Sequence, residues 1–190
     1  MNKYFFVDTE TTGVEAVHGL VQVSGLVVVG NDIIDQIDLM MHPFPDKAIS
    51  MGALKVIGKS REEIEALPDP REQHSMFLQF LSKHVSKYDR TDKLRFCAYN
   101  APFDARFMRA WFEDCNDKYF GSHFWYPLVD VAQTAFEAMT DKQRGQLSNF
   151  KLATVCEWFG VDTKEELLHE AMYDTLLTYD LYKKVKLDSK

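Results

Sequence analysis

Apolar residues crowd the start of the chain, where Tyr4-Phe5-Phe6-Val7 runs without a polar break into Asp8, and such a run predicts a buried strand over 3–8. A longer β-branched stretch follows at 20–29. Gly30-Asn31-Asp32 then supplies turn residues before the apolar positions of 33–39, so the two stretches predict a hairpin and three antiparallel strands open the fold. Prolines and glycines punctuate 43–58 around a short helical piece at 49–57. Ser60-x-x-Glu63 is a capping box for another short helix, closed by Leu67-Pro68. Met76, Phe77, Phe80, Leu81 and Val85 recur at helical spacing and predict a helix over 70–86 whose stripe faces the core. Next come a short apolar strand at 94–98, a helix through Phe107, Met108, Trp111 and Phe112, and a last strand at 125–131. Asp130 is placed to cap a helix over 131–139. Further helices are expected over 147–159 and within 163–185. This order predicts a single α/β domain over 1–190, with helices on both faces of a mixed sheet and no repeat or linker.

Polar chemistry gathers where these elements end. If the first strand carries on, Asp8 and Glu10 emerge on the same face. Two like charges at a buried strand end call for a positive group between them, most simply a divalent cation. Alone, the pair reads equally well as an acidic loop after a hydrophobic strand. Asn100-x-x-x-Asp104 sits at a strand-to-helix junction, with Pro102 suited to the first turn. For Asn100 the better reading is a helix cap. For Asp104 it is a metal ligand, because α/β sites collect at the carboxyl ends of strands. Five residues of ideal helix turn through about 140°, so His169 and Asp174 would not share a face mid-helix. Thr163-x-x-Glu166 is itself a capping box, and the conflict resolves as a short helix or turn at 163–168, a break, and a second helix from about 170.

Asp8-Thr-Glu10-Thr-Thr-Gly13, Asn100-Ala-Pro-Phe-Asp104 and His169-x-Ala171-x-x-Asp174 resemble, in order and spacing, the three motifs of the histidine-bearing branch of the DEDD exonucleases. That family includes the proofreading epsilon subunits of bacterial replicative polymerases. Gln22-Val23, Ile49-Ser50, Asp130-Val131-Ala132, Leu152-Ala153 and Phe159-Gly160-Val161 also fall where the family keeps comparable stretches. The departures are Tyr99 where histidine is common, Gln22 where glutamate is common and Thr175 where alanine is usual; none removes a catalytic atom. The resemblance implies a ribonuclease H-like fold with a central five-stranded mixed sheet. It implies that Asp8, Glu10, Asp104 and Asp174 hold two Mg2+ or Mn2+ ions and that His169 is the general base. Hard cations favour carboxylate oxygens, and two ions about 3.5–4 Å apart can clamp both the attacking and the leaving oxygen of a phosphodiester. By the same resemblance, Thr11, Thr12, Gly13 and Leu54 cradle the terminal nucleotide, with Asn100 and Phe103 close by. For Leu54 and Phe103, core packing is an equal alternative.

Composition adds one objection. The net charge is −7, whereas nucleic-acid binding usually relies on a basic face; two divalent ions would offset four of the negative charges. Cys97, Cys115 and Cys156 lack metal-type spacing and read as reduced core thiols, and no segment is long enough for a signal peptide or membrane span, so a cytoplasmic location is expected. His18, His42, His74, His84 and His123 have no partners at ligand spacing, although His18 follows the turn nearest the acids. Gln73-His-Ser-Met-Phe faintly resembles a clamp-binding peptide but lies in a predicted helix. The chain stops soon after its last helix, as expected of a free-standing nuclease, so association with a polymerase or clamp stays open. The expected activity is 3′-to-5′ hydrolysis of DNA, single-stranded or at frayed ends, to nucleoside 5′-monophosphates. The rivals are an exoribonuclease and a catalytically silent interaction module of the same fold.

Overall fold

A computed structural model describes residues 2–168 and 170–188. Strand β1 (Lys3–Thr11) is the middle of a five-stranded sheet ordered β3-β2-β1-β4-β5. It pairs antiparallel with β2 (Leu20–Val29), which pairs antiparallel with β3 (Asp32–Met40). On its other side β1 is parallel to β4 (Arg95–Ala98), and β4 to β5 (Val129–Asp130). The β2–β3 hairpin turns through Gly30 and Asn31, with Gly30 at φ 65°, a conformation that glycine adopts without steric penalty.

Helices cover both faces of this sheet. In chain order they are α1 (Met51–Ile57), α2 (Arg61–Glu65), α3 (Pro70–Ser82), α4 (Ala101–Asp114), α5 (Phe120–His123), α6 (Val131–Glu137), α7 (Asp141–Arg144), α8 (Leu152–Trp158) and α9 (Ala171–Asp188). Because side chains alternate along a strand, Phe5 and Val7 enter a core with Phe77, Phe80, Trp111 and Phe112 of α3 and α4. Phe6 enters a second core with Val131, Val155, Leu177 and Leu181 of α6, α8 and α9. All three β1 side chains are fully buried. The ribonuclease H-like arrangement expected from the motifs is therefore present.

Several boundaries differ from expectation, each for a local reason. Strand β1 runs on to Thr11, carrying both acids inside the ladder, because its pairing with β2 continues to Glu10↔Gln22 before the register shifts. The last strand shrinks from 125–131 to two residues; Pro127 has no N–H to give the ladder, and pairing begins only at Cys97↔Val129. Helix α3 stops at Ser82, whose hydroxyl donates back to the Gln79 carbonyl at 2.7 Å. The 147–151 stretch is not helical: Asn149 Oδ1 accepts from Lys151 N and Thr154 Oγ1, both at 2.9 Å. Helix α7 was not expected, since four residues are too few to show a period, yet Thr140 and Gln143 close a capping box around it. The expected box at Thr163 is absent. The Thr163 hydroxyl donates to Glu157 at 3.0 Å, and Glu165–Leu167 forms a 3-10 turn. The break before α9 is where the sequence placed it.

Gly25, opposite Val7, is required by close approach: a Cβ there would fall inside the Phe5 ring. Gly25→Ala is expected to lose about 1–3 kcal/mol through overpacking, read as a lower urea midpoint at unchanged slope. An unchanged midpoint would show that the ring has room to shift.

Candidate active site

The alternation that sends Phe6 toward α9 also sends Asp8 and Glu10 to that face, and Thr9 to the opposite one. Asp174 stands in the first turn of α9, on the same side as the acidic pair. Asp104 comes from the other side, in the first turn of α4, and is only 3% exposed. The Thr9 hydroxyl donates to Asp104 Oδ1 at 2.8 Å. The residue between the two strand acids thus holds the third acid at the sheet's end.

Electrostatics record how close these groups are. Burial holds the Asp8 carboxyl well above the usual carboxylate range, and Asp104, Glu10 and Asp174 push it further. Glu10 is pushed up to about 7, by burial first and then by Asp174. Asp104 is also raised to about 7 by burial, against the pull of its Thr9 hydrogen bond and with added repulsion from Asp130. Among the described residues, however, no three His, Cys, Asp or Glu side chains close to coordinating distance as they stand. The acids share a charge environment without forming a finished cage. The donor set, all carboxylate oxygens held against mutual repulsion, fits hard divalent cations. His169 lies outside the described residues.

The loop after β1 is tied down by Thr12. Its hydroxyl donates to Ala48 O at 2.6 Å and accepts from Gly19 N at 2.8 Å, and its carbonyl accepts from Ser50 N at 2.8 Å. That side chain is fully buried and structural. Thr11 and Gly13, by contrast, line a cavity of about 440 Å³ beside the acids, walled also by Glu10, His18, Val56 and Phe103. The His18 imidazole packs so closely on Gly13 that a Cβ there would clash with the ring, and its Nδ1 accepts from Glu15 N at 3.1 Å. Leu54 is 7% exposed and packs with Val21 and Ile64. It turns into the core, while Ala53, Val56 and Ile57 of the same helix line the cavity.

Asn100 occupies the helix-cap position but makes no side-chain cap bond, correcting the expectation. Its backbone is left-handed, φ 69°, which asparagine tolerates better than most residues. Its N–H donates to Asp130 Oδ1 at 3.2 Å, and the residue is exposed without lining the cavity. Asp130 does cap α6, accepting from Ala132 N and Gln133 N at 3.0 and 3.3 Å. Tyr99 donates from its hydroxyl to Phe150 O at 2.7 Å. Thr175, next to Asp174, donates to Ala171 O at 2.7 Å and lies 3.2 Å from Ser24 O, joining α9 to β2. Thr9 and the cavity wall at Val56 escaped the sequence reading, which had Asp130 as a helix cap but not as a neighbour of Asp104. Only Thr9 carried a signal there, as the residue between two suspected ligands.

Comparisons with known proteins agree with the fold. A family model described as exonuclease (RNase_T) matches residues 5–182. A PolC-type DNA polymerase III from Thermotoga maritima is 24% identical over 94% of this chain and 11% of its own length. The DNA polymerase III epsilon subunit of Haemophilus influenzae is 22% identical over 95% of this chain, which spans 66% of that subunit. Among solved structures, a zinc-bound complex of E. coli exonuclease I with single-stranded DNA superposes with a TM-score of 0.76 at 19% identity, covering 99% of this chain and 41% of that one. An apo form of exonuclease I gives 0.73 at 17% identity over 98% of this chain and 42% of that one. Among the described residues, no helix is long and apolar enough to cross a membrane.

The raised carboxyls make a signed prediction for the metal-free protein. A carboxyl raised on folding binds more protons in the folded than in the unfolded state between its ordinary value near 4 and its folded value of about 7 for Glu10 and Asp104. Stability from these groups therefore falls as pH rises through that window. Mn2+ or Mg2+ is expected to raise the melting temperature clearly more at pH 8 than at pH 5, at about 2–4 °C per kcal/mol of binding. Glu10→Gln should raise the metal-free melting temperature at pH 8 and shrink the metal-induced gain. A gain independent of pH would count against carboxylate ligation.

Proposed function

The chain belongs to the RNase_T exonuclease family, and from that premise we propose that it is a metal-dependent 3′-to-5′ exonuclease acting on DNA at single-stranded or frayed ends. The observation that carries this reading is the meeting of Asp8, Glu10, Asp104 and Asp174, from β1, α4 and α9, in one field that raises the Asp8 carboxyl. Carboxylates held together against their own repulsion have no purely structural use. They make sense as ligands, here for two Mg2+ or Mn2+ ions. When bound, such ions supply Lewis-acid stabilisation to the phosphodiester as negative charge develops in displacement.

The chain's own residues do the remainder. His169 accepts the proton of the attacking water, a role suited to a group with an ordinary value near 6.5. Thr11 and Gly13 present backbone to the terminal sugar, and Phe103 and Val56 offer apolar surface to its base. Asn100, exposed at the start of α4 four positions before Asp104, would contact the substrate backbone. The cavity falls in the ~300–1,000 Å³ range typical of small-ligand sites, enough for one nucleotide. Products are nucleoside 5′-monophosphates. The DNA polymerase III names of the relatives and the single-stranded DNA in the exonuclease I complex support DNA over RNA.

A 5′-labelled oligonucleotide, supplied as DNA or as RNA with Mg2+ or Mn2+, tests the reading. DNA should yield a descending ladder that EDTA abolishes, and Asp8→Asn should lose at least about a thousandfold in rate, the scale expected when preorganised charge stabilisation is removed. A ladder on RNA alone would reassign the substrate, and none on either would favour a silent module. His169→Asn should fall about 10²- to 10⁴-fold; full retained rate would remove it as base.

A further inference from the structure

We propose that a basic, aromatic track along the outer face of α4 holds the single-stranded backbone lying 5′ of the reacting nucleotide. It rests on the exonuclease reading above and extends it from the terminal nucleotide to the strand behind. The track starts at the nucleotide cavity, where the Phe103 ring has the Arg106 guanidinium 5.5 Å from its centroid. Arg106 is aimed by a hydrogen bond to Val14 O at 2.7 Å, so one arginine is fixed to the loop after β1 and stands beside the cavity wall.

From there the surface continues into a second concavity, lined by Pro102, Arg106, Arg109, Tyr126 and Leu128. Tyr126 and Leu128 are shared with a third, which adds Lys93, Arg95 and Trp125. The order follows from the fold. Helix α4 starts at the carboxyl end of β4, beside the acids, and its later residues lead back toward the start of that strand, where Lys93 and Arg95 stand. At about 1.5 Å per residue, Pro102 to Glu113 covers roughly 17 Å, a length that only a strand of several nucleotides can use.

The chemistry along the path suits one kind of occupant. Tyr126 is 84% exposed and Trp125 40%, uncommon for aromatic side chains unless they serve contact. Lys93 Nζ sits 5.5 Å from the Trp125 ring centroid, and the Arg109 guanidinium 4.4 Å from that of Phe120. Phe120 is buried beneath Arg109, and the two exposed rings, Trp125 and Tyr126, set among Lys93, Arg95 and Arg109, suit a sequence-tolerant single-strand surface. The acids on the path are Glu113 and Asp92, and Asp92 is already paired with Lys3. On a chain of net charge −7, gathering Arg106, Arg109, Lys93 and Arg95 on one side gives a polyanion a local positive path that the overall charge conceals.

The test uses Arg109→Glu with Arg95→Glu, and separately Tyr126→Ala, all exposed positions away from the acids; matched melting curves confirm folding. Binding of a 5′-fluorescent 20-nucleotide oligothymidylate is measured in EDTA across a salt series, so it does not depend on turnover. The arginine pair is expected to weaken binding at least about tenfold and to flatten the log–log salt slope by about 0.7 per cation removed. Tyr126→Ala should weaken it about fivefold or more with the slope unchanged. With Mn2+, the ratio of cleavage rate on the 20-mer to that on a dinucleotide should fall about tenfold in the arginine pair. Unchanged binding and slope, or equal loss on both substrates, would overturn the track. If the unaltered chain cleaves nothing, the exonuclease reading fails, and the binding series still decides the track.

Discussion

Phe5, Phe6 and Val7 commit β1 to two cores, one on each face of the sheet, and the site depends on that commitment. A strand buried on both faces has no slack: shifting its register by one residue would exchange Phe5 and Phe6 between cores that are each filled to contact. The same parity that seats the phenylalanines puts Asp8 and Glu10 on the α9 side and Thr9 on the α4 side. Packing in the middle of the sheet therefore sets the direction of charge at its end, with no separate device needed to aim the acids.

What the packing imposes, electrostatics resists. Bringing buried carboxylates together raises their proton affinity, and for Asp104 the Thr9 hydroxyl and nearby backbone N–H groups pull the other way without overcoming burial. No lysine or arginine makes a salt bridge to Asp8, Glu10 or Asp104 among the described residues. Asp8, Glu10 and Asp104 are left with repulsion that either a proton or a cation relieves, and the cation gains the advantage as pH rises past about 7, where Glu10 and Asp104 give up their protons. Where cations are plentiful, along α4 and beside the start of β4, they face outward, so one molecule carries opposite charges at the end of its sheet and on that outer surface.

The three antiparallel strands that open the fold and the acidic positions were legible because they rest on strong local signals: uninterrupted apolar runs, a Gly-Asn turn, and acids at strand ends in family spacing. The break before α9 was legible because two incompatible demands, a capping box at Thr163 and a shared site for His169 and Asp174, met within a dozen residues. Where the sequence misled, a side-chain hydrogen bond or a missing donor outweighed periodicity. Ser82 closed α3 early, Pro127 shortened β5, and Asn149 kept 147–151 out of α8. Asn100 took the cap position but on a left-handed backbone without the side-chain bond, and of the two readings open for Leu54 core packing is the one found, while its helix neighbours line the cavity. Such outcomes depend on which face a short helix turns to its neighbours, and one helical turn carries too little pattern to say.

The bonds that complete the site also order its appearance in time. Thr9 reaches Asp104 across 95 positions of chain, and Thr175 reaches Ser24 across 151. The β1–β2–β3 meander is local and can pair as soon as it is made, whereas contacts this distant in sequence form late in folding. During synthesis the first two acids would thus be in place well before the others arrive. A half-made chain can be folded at its amino end while Asp174 is still unmade, so the four acids share one end of the sheet only once α9 docks against β1 and β2.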